Sequence, residues 1–153
     1  MIRKINFQDN RLVQNLFELQ RASYLVEANL IGFEEIPPLK ESFEELMNCG
    51  ETFLGYFEGE ELAGAISYTI NGQELTICRT VVAPNHFRKG IAQKLLKAVE
   101  DTHKEIPVFK VSTGKDNYPA KNLYLKNGFI LGENIEVAPN FFISTFEKRK
   151  ADK

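Results

Sequence analysis

Residues 81–96, Val-Val-Ala-Pro-Asn-His-Phe-Arg-Lys-Gly-Ile-Ala-Gln-Lys-Leu-Leu, restrict the possible folds more than any other stretch of this chain. They read as a β-strand that stops at Pro84, a short basic loop with one glycine, and the first turns of a helix. Ile91, Leu95, Leu96 and Val99 share one face of that helix, so it packs on a sheet. A helix N-terminus leaves about four N–H groups without partners and carries roughly half a positive charge. Gly90 allows close backbone approach, and Arg88 and Lys89 add full charges beside it. A phosphate or diphosphate suits such an entrance. The expectation is a layered α/β domain that handles a phosphorylated cofactor.

Three segments of strand period precede this unit, at residues 53–57, 62–70 and 75–82. Gly59 lies in the first connection and Asn71-Gly72 in the second. Asn-Gly is the strongest short hairpin signal, so the three strands form an antiparallel meander. Residues 2–7 open the chain as a strand. Leu12, Val13, Leu16, Phe17 and Leu19 then recur at helical spacing behind a cap at Asp9 or Asn10. That helix runs toward Tyr24 or beyond, until Gly32. Pro37-Pro38 marks a break, and residues 39–47 form a shorter helix with Phe43, Leu46 and Met47 on one side. After the central helix come a strand at 107–112 and a helix at 119–127, capped by Asp116 or Asn117 and ended by Gly128. Residues 129–137 and 140–146 close the chain as a hairpin, with a charged, frayed tail from Lys148. The order β-α-α-β-β-β-α-β-α-β-β predicts an α/β (α+β) domain over residues 1–148 and a tail over 149–153. Its sheet is mixed, mostly antiparallel, with about seven strands and helices on both faces.

A length of 153 residues gives room for one substantial core. No apolar run approaches the roughly 20 residues of a membrane span. The opening residues lack the apolar core of a signal peptide, so the expected location is the cytoplasm, with Cys49 and Cys78 as reduced thiols. Net charge is −2, unevenly spread: between Glu27 and Glu61 ten acids face Lys40 alone, while between Arg79 and Lys126 ten bases face four acids. Many of these charges sit on solvated helix faces; the asymmetry also suits an anionic cofactor on one side and a cationic acceptor on the other. A pI near 5.8 and the lack of an aromatic-interleaved basic stripe argue against a nucleic-acid partner. Neither a G-x-x-x-x-G-K-[ST] loop nor a G-x-G-x-x-G turn is present, which disfavours P-loop and Rossmann sites.

Two motifs carry a resemblance. The first is Val82-x-Pro84 followed by Phe87-Arg88-Lys89-Gly90-Ile91-Ala92. The second is Asn117-x-x-Ala120-x-x-Leu123-Tyr124-x-x-x-Gly128-Phe129. Together, on their strand–loop–helix and helix–strand settings, they resemble the GNAT superfamily of N-acetyltransferases. The first is similar to that family's Gln/Arg-x-x-Gly-x-Gly/Ala loop, with Phe87 where Gln or Arg is usual. The resemblance implies the GNAT fold, acetyl-CoA as cosubstrate, no metal, and direct transfer of the acetyl group to a primary amine of a small molecule or protein. It implies that Val81 and Val82 pair with the pantetheine arm like an added strand. It also implies that the backbone of Arg88, Lys89, Gly90, Ile91, Ala92 and Gln93 holds the diphosphate. Asn117 would contact the pantetheine arm or cap its own helix. Tyr124 matches the general acid; taken alone, its helix face is equally that of a buried core aromatic.

By the same resemblance residues 24–46 wall the acceptor pocket, with Tyr24, Glu27 and Glu34 as candidate contacts and Glu27 and Glu34 as candidate bases. His86 and His103 lie away from the expected reaction centre and read as surface histidines. No membrane partner is expected, and the edge of the last hairpin offers a surface for a homodimer. A non-catalytic acyl-CoA-binding or sensing module on the same fold is the alternative function.

Overall fold

The computed structural model describes residues 1–32 and 37–150. The described elements, in order, are β1 (Ile2–Lys4), α1 (Asn10–Ile31), a 3-10 turn (Pro37–Lys40), α2 (Phe43–Met47), β2 (Thr52–Glu58), β3 (Glu61–Asn71) and β4 (Glu74–Val82). They continue with a second 3-10 turn (Pro84–His86), α3 (Ile91–Thr102), β5 (Val108–Gly114), α4 (Tyr118–Lys126), β6 (Ile130–Ala138) and β7 (Phe141–Arg149). Seven strands form one sheet in the order β1-β2-β3-β4-β5-β7-β6. Among the described strands β4–β5 is the parallel pair, and the rest are antiparallel.

The meander forms where the alternation predicts it, with Asn71 facing Glu74 across the Asn-Gly turn. Phe53 and Phe57 face one side of the sheet and pack with Val13, Leu16, Leu19 and Tyr24 of α1 and Leu46 of α2. On the opposite side, Ile66, Leu75 and Ile77 pack with Ile91, Leu95, Leu96 and Val99 of α3 and Tyr124 of α4. Helices thus cover both faces. Gly64 lets α3 come close: a Cβ there would sit 2.8 Å from Ile91 Cγ2.

Three local expectations are corrected. The first strand ends at Lys4 rather than Phe7: Ile5 is buried, and the Asn6 side chain accepts from Gln8 N–H in a turn. The second helix is divided, because Ser42 is extended (φ −85°, ψ 164°) and starts α2 by a capping box with Glu45. Lys148 and Arg149 are not frayed. Phe109 pairs with Lys148 and Val108 with Arg149, and Lys148 Nζ lies 2.7 Å from Glu100. No described helix is long and apolar enough to cross a membrane.

Candidate active site

Strands β4 and β5 are paired only from Glu74↔Val108 to Ile77↔Val111. Beyond that point the rest of β4 keeps its β3 partners through Val82, while Ser112, Thr113 and Gly114 pair with β7. The register with β3 shifts between Ser67↔Arg79 and Tyr68↔Ile77, which leaves Cys78 as an extra residue and bends β4 there. A bulge and a lapse in pairing at one place open the sheet. The edge of β4 carrying Val81 and Val82 is therefore free of β5, although the Val81 side chain is buried in the α1 core.

The loop after Val82 turns back to start α3 at the mouth of this opening. Arg88 adopts φ +67° and Gly90 φ +75°. Left-handed backbone strains an arginine by roughly 1–2 kcal/mol and costs glycine little. Alternating left-handed residues gather successive N–H groups into a concavity. Gly90 caps α3 without a side chain, so the first N–H groups of the helix stay available. A Cβ on Gly90 would meet nothing within 4 Å, so the entrance is open. Ile91 is buried beneath it, whereas Ala92 and Gln93 are partly exposed.

His86 overturns the surface reading: it is 7% exposed. Its Nε2 lies 2.5 Å from Glu61 Oε2, and its Nδ1 lies 3.0 Å from Lys89 Nζ and 3.3 Å from Glu58 Oε2. An ammonium has no lone pair, so Lys89 donates and Nδ1 accepts, which leaves the proton on Nε2 facing Glu61. The loop is thereby fastened to the β2–β3 turn, and the Lys89 ammonium is occupied by Glu58 and His86. His103 is also partly buried, with Nε2 2.9 Å from the Tyr68 hydroxyl.

Across the opening stands α4. Asn117 caps it by accepting from Ala120 N–H at 3.3 Å and donates to Thr113 Oγ1 at 3.3 Å. Tyr124 packs against Phe129 and Phe146, and its hydroxyl donates to Thr80 Oγ1 of β4 at 3.3 Å. Burial raises the Tyr124 phenol to about 12; the Thr80 hydrogen bond pulls it back and the charge of Glu27 pushes it up. Glu27, partly buried on α1, is hydrogen-bonded to the Asn117 side chain. Burial lifts its carboxyl above the ordinary 4.5, and that hydrogen bond opposes the rise. Tyr24, one turn earlier, is buried and has its phenol pKa raised by burial, with Arg79 opposing. Glu34 lies outside the described residues.

On the α1 side of the β4 bulge lies a pocket of about 370 Å³ lined by Tyr24, Lys40, Glu41, Glu45, Glu51, Cys78 and Arg79. Arg79 is its hub. Its guanidinium meets Glu41 at 2.5 and 2.7 Å, Glu51 at 2.9 and 3.2 Å, and the buried Gln20 at 3.0 Å. Burial disfavours the Arg79 charge, but the hydrogen bonds to Glu41 and Glu51 more than restore it. Sequence reasoning missed this network and the His86 clamp. Their one trace was the surplus of acids between Glu27 and Glu61, four of which hold Arg79, His86 and Lys89.

The fold and this geometry have relatives. The PaiA N-acetyltransferase of Thermoplasma acidophilum, solved in complex with coenzyme A, superposes with a TM-score of 0.80 at 25% identity, covering 98% of each chain. The ribosomal-protein-S18-alanine N-acetyltransferase of Escherichia coli has the same TM-score at 13% identity, over 97% of this chain and 92% of that one, a likeness of fold. The UPF0157 protein YqkA of Bacillus subtilis (strain 168) is 36% identical over 155 residues, which cover 99% of this chain but 45% of that protein. The chain thus spans about half the length of that curated relative. The profile of the Acetyltransferase (GNAT) family matches residues 13–129, and with that span and this fold the chain belongs to the acetyltransferase (GNAT) family.

Proposed function

We propose that this chain transfers the acetyl group of acetyl-CoA to a primary amine by direct attack, with Tyr124 as general acid. The observation that carries the reading is the position of the Tyr124 hydroxyl, at Thr80 on the length of β4 that has parted from β5. The residues present fit the cosubstrate. The opening leaves the Val81–Val82 edge for an extended pantetheine arm, and the uncovered entrance at Gly90 suits a diphosphate. In this reading Asn117, at the cap of α4, contacts the pantetheine arm. Arg88 and the N–H groups of residues 88–93 are the diphosphate contacts in this reading, with Lys89 contributing from its place beside Glu58. The coenzyme A bound to the Thermoplasma protein supports it.

Positioning supplies most of the acceleration, because amine and thioester meet in one site. A backbone N–H near Val82 steadies the oxyanion. A departing thiolate with a pKa of roughly 8.5 requires a proton, and Tyr124 keeps one at neutral pH. The acceptor enters beside Tyr24, Glu27 and the acid-lined pocket, which suits an amine carrying further positive charge. The test is release of coenzyme A thiol on incubation with acetyl-CoA and a panel of amines, with the product mass increased by one acetyl group. Tight acetyl-CoA binding with no thiol release from any amine would favour a non-catalytic binding module.

A further inference from the structure

We propose that His86 is a positioning residue for the diphosphate loop: it gives up Lys89 to the bound diphosphate and takes a proton in exchange. This rests on the cosubstrate reading above. Three charged groups converge on one buried imidazole. Its Nε2 lies 2.5 Å from Glu61 Oε2 at the start of β3. Its Nδ1 lies 3.0 Å from Lys89 Nζ and 3.3 Å from Glu58 Oε2 at the end of β2. Helix α1 also packs against this turn, but among the described residues none of its side chains forms an ion pair with the ring.

The three contacts are unequal. Glu61 holds the ring at hydrogen-bond length and so fixes the loop. Lys89 is the loose member: its side chain is 47% exposed, and its contact with Glu58 is 3.4 Å long. Half-exposed pairs of this kind contribute little. Lys89 also sits between Arg88 (φ +67°) and Gly90 (φ +75°), the left-handed residues that gather the loop N–H groups at the entrance to α3. With a diphosphate at that entrance, Lys89 chooses between a neutral lone pair on His86 and a charged oxygen. The charged partner binds an ammonium more strongly.

Departure of Lys89 changes the ring. Nδ1 then turns a bare lone pair on the Glu58 carboxylate, and two acceptors facing each other repel. A proton on Nδ1 removes the conflict. The imidazolium donates to Glu61 through Nε2 and to Glu58 through Nδ1, so both carboxylates keep a cationic partner. The charges balance, because one ammonium leaves the cluster and one proton enters it from solvent. The loop stays fastened to the β2–β3 turn while its lysine serves the cofactor.

Calorimetry of acetyl-CoA binding at pH 7, in buffers of differing ionisation enthalpy, counts the protons taken up. Wild type should take up about half a proton more than either of two variants. Protonation of the ligand's own phosphomonoester is common to all three and cancels. His86→Asn puts an oxygen near the Nδ1 position, where it accepts from Lys89 but takes no proton. Lys89→Met keeps the ring and removes the exchange; its half-exposed position lets it decide the matter if His86→Asn does not fold. Binding and proton uptake are reciprocally linked, so between pH 8 and pH 6 wild-type affinity should rise about tenfold more than that of the variants. A merely structural clamp would weaken His86→Asn equally at every pH and leave the proton count unchanged. Equal counts in wild type and variants, or an uptake that survives in His86→Asn, would overturn the exchange and leave the cosubstrate reading intact. Failure of the wild type to bind acetyl-CoA would remove that reading, and this one with it.

Discussion

A phenol makes a useful acid only where it is dry enough to hold its proton and close enough to lose it. Tyr124 is kept dry by Phe129 and Phe146 and hydrogen-bonded to Thr80, and in the proposed reaction it is that acid. Tyr124→Phe should lower kcat by about 100-fold with acetyl-CoA affinity unchanged, as steady-state kinetics and calorimetry on one preparation would show. Unaltered turnover across the pH range would take the acid role from this residue. At this scale the sequence was partly legible. Asn117, Tyr124 and Gly128 lie within one helix and its cap, where spacing alone orders them. Thr80 and Glu27 meet that helix only through the fold, Thr80 from 44 positions away, and no local pattern relates them.

At the scale of elements, the strand–loop–helix at residues 81–96 behaves as its glycine and its apolar face require. The means by which the loop is held could not be read. His86 reads as a surface histidine because its loop lies away from the expected reaction centre; the carboxylates that bury it come from the turn between β2 and β3. The length of α1 was legible because Gly32 ends it in the left-handed conformation (φ +73°). The division before α2 was less so, since Ser42 there competes with the apolar spacing. Gly90→Glu tests the entrance directly. The substitution places an anion where a diphosphate should rest and puts a side chain at φ +75°. Acetyl-CoA titration should show no measurable binding. Gly90→Ala carries the backbone strain alone, about 1–2 kcal/mol, and separates the two effects.

At the scale of the whole molecule, seven strands with helices on both faces followed from the order of periods, and the sheet closes as that order demands. The ionic network on its α1 side was invisible. Arg79 joins α1, the approach to α2, the start of β2 and β4 through Gln20, Glu41 and Glu51, with side-chain exposures of 12%, 17% and 14% for Arg79, Glu41 and Glu51. Arg79→Met would leave the largely enclosed Glu41 and Glu51 carboxylates without their cation and should cost about 3–5 kcal/mol in denaturant unfolding. The same network gives stability a pH dependence. Burial would raise the Glu41 carboxyl, but the Arg79 and Gln20 hydrogen bonds outweigh it and hold the group below its ordinary 4.5. Its contribution is therefore complete above about pH 4.5 and fades as pH falls through the lower folded value. Glu41→Gln should flatten that part of the stability curve.

The lapse in pairing between β4 and β5 has one more consequence. Peptide groups along a torn seam are exposed to water until something extended lies against them, so the architecture is unfinished in isolation. On the proposed reading, that extended molecule is the pantetheine arm of acetyl-CoA, so thermal unfolding should shift upward with acetyl-CoA concentration by mass action.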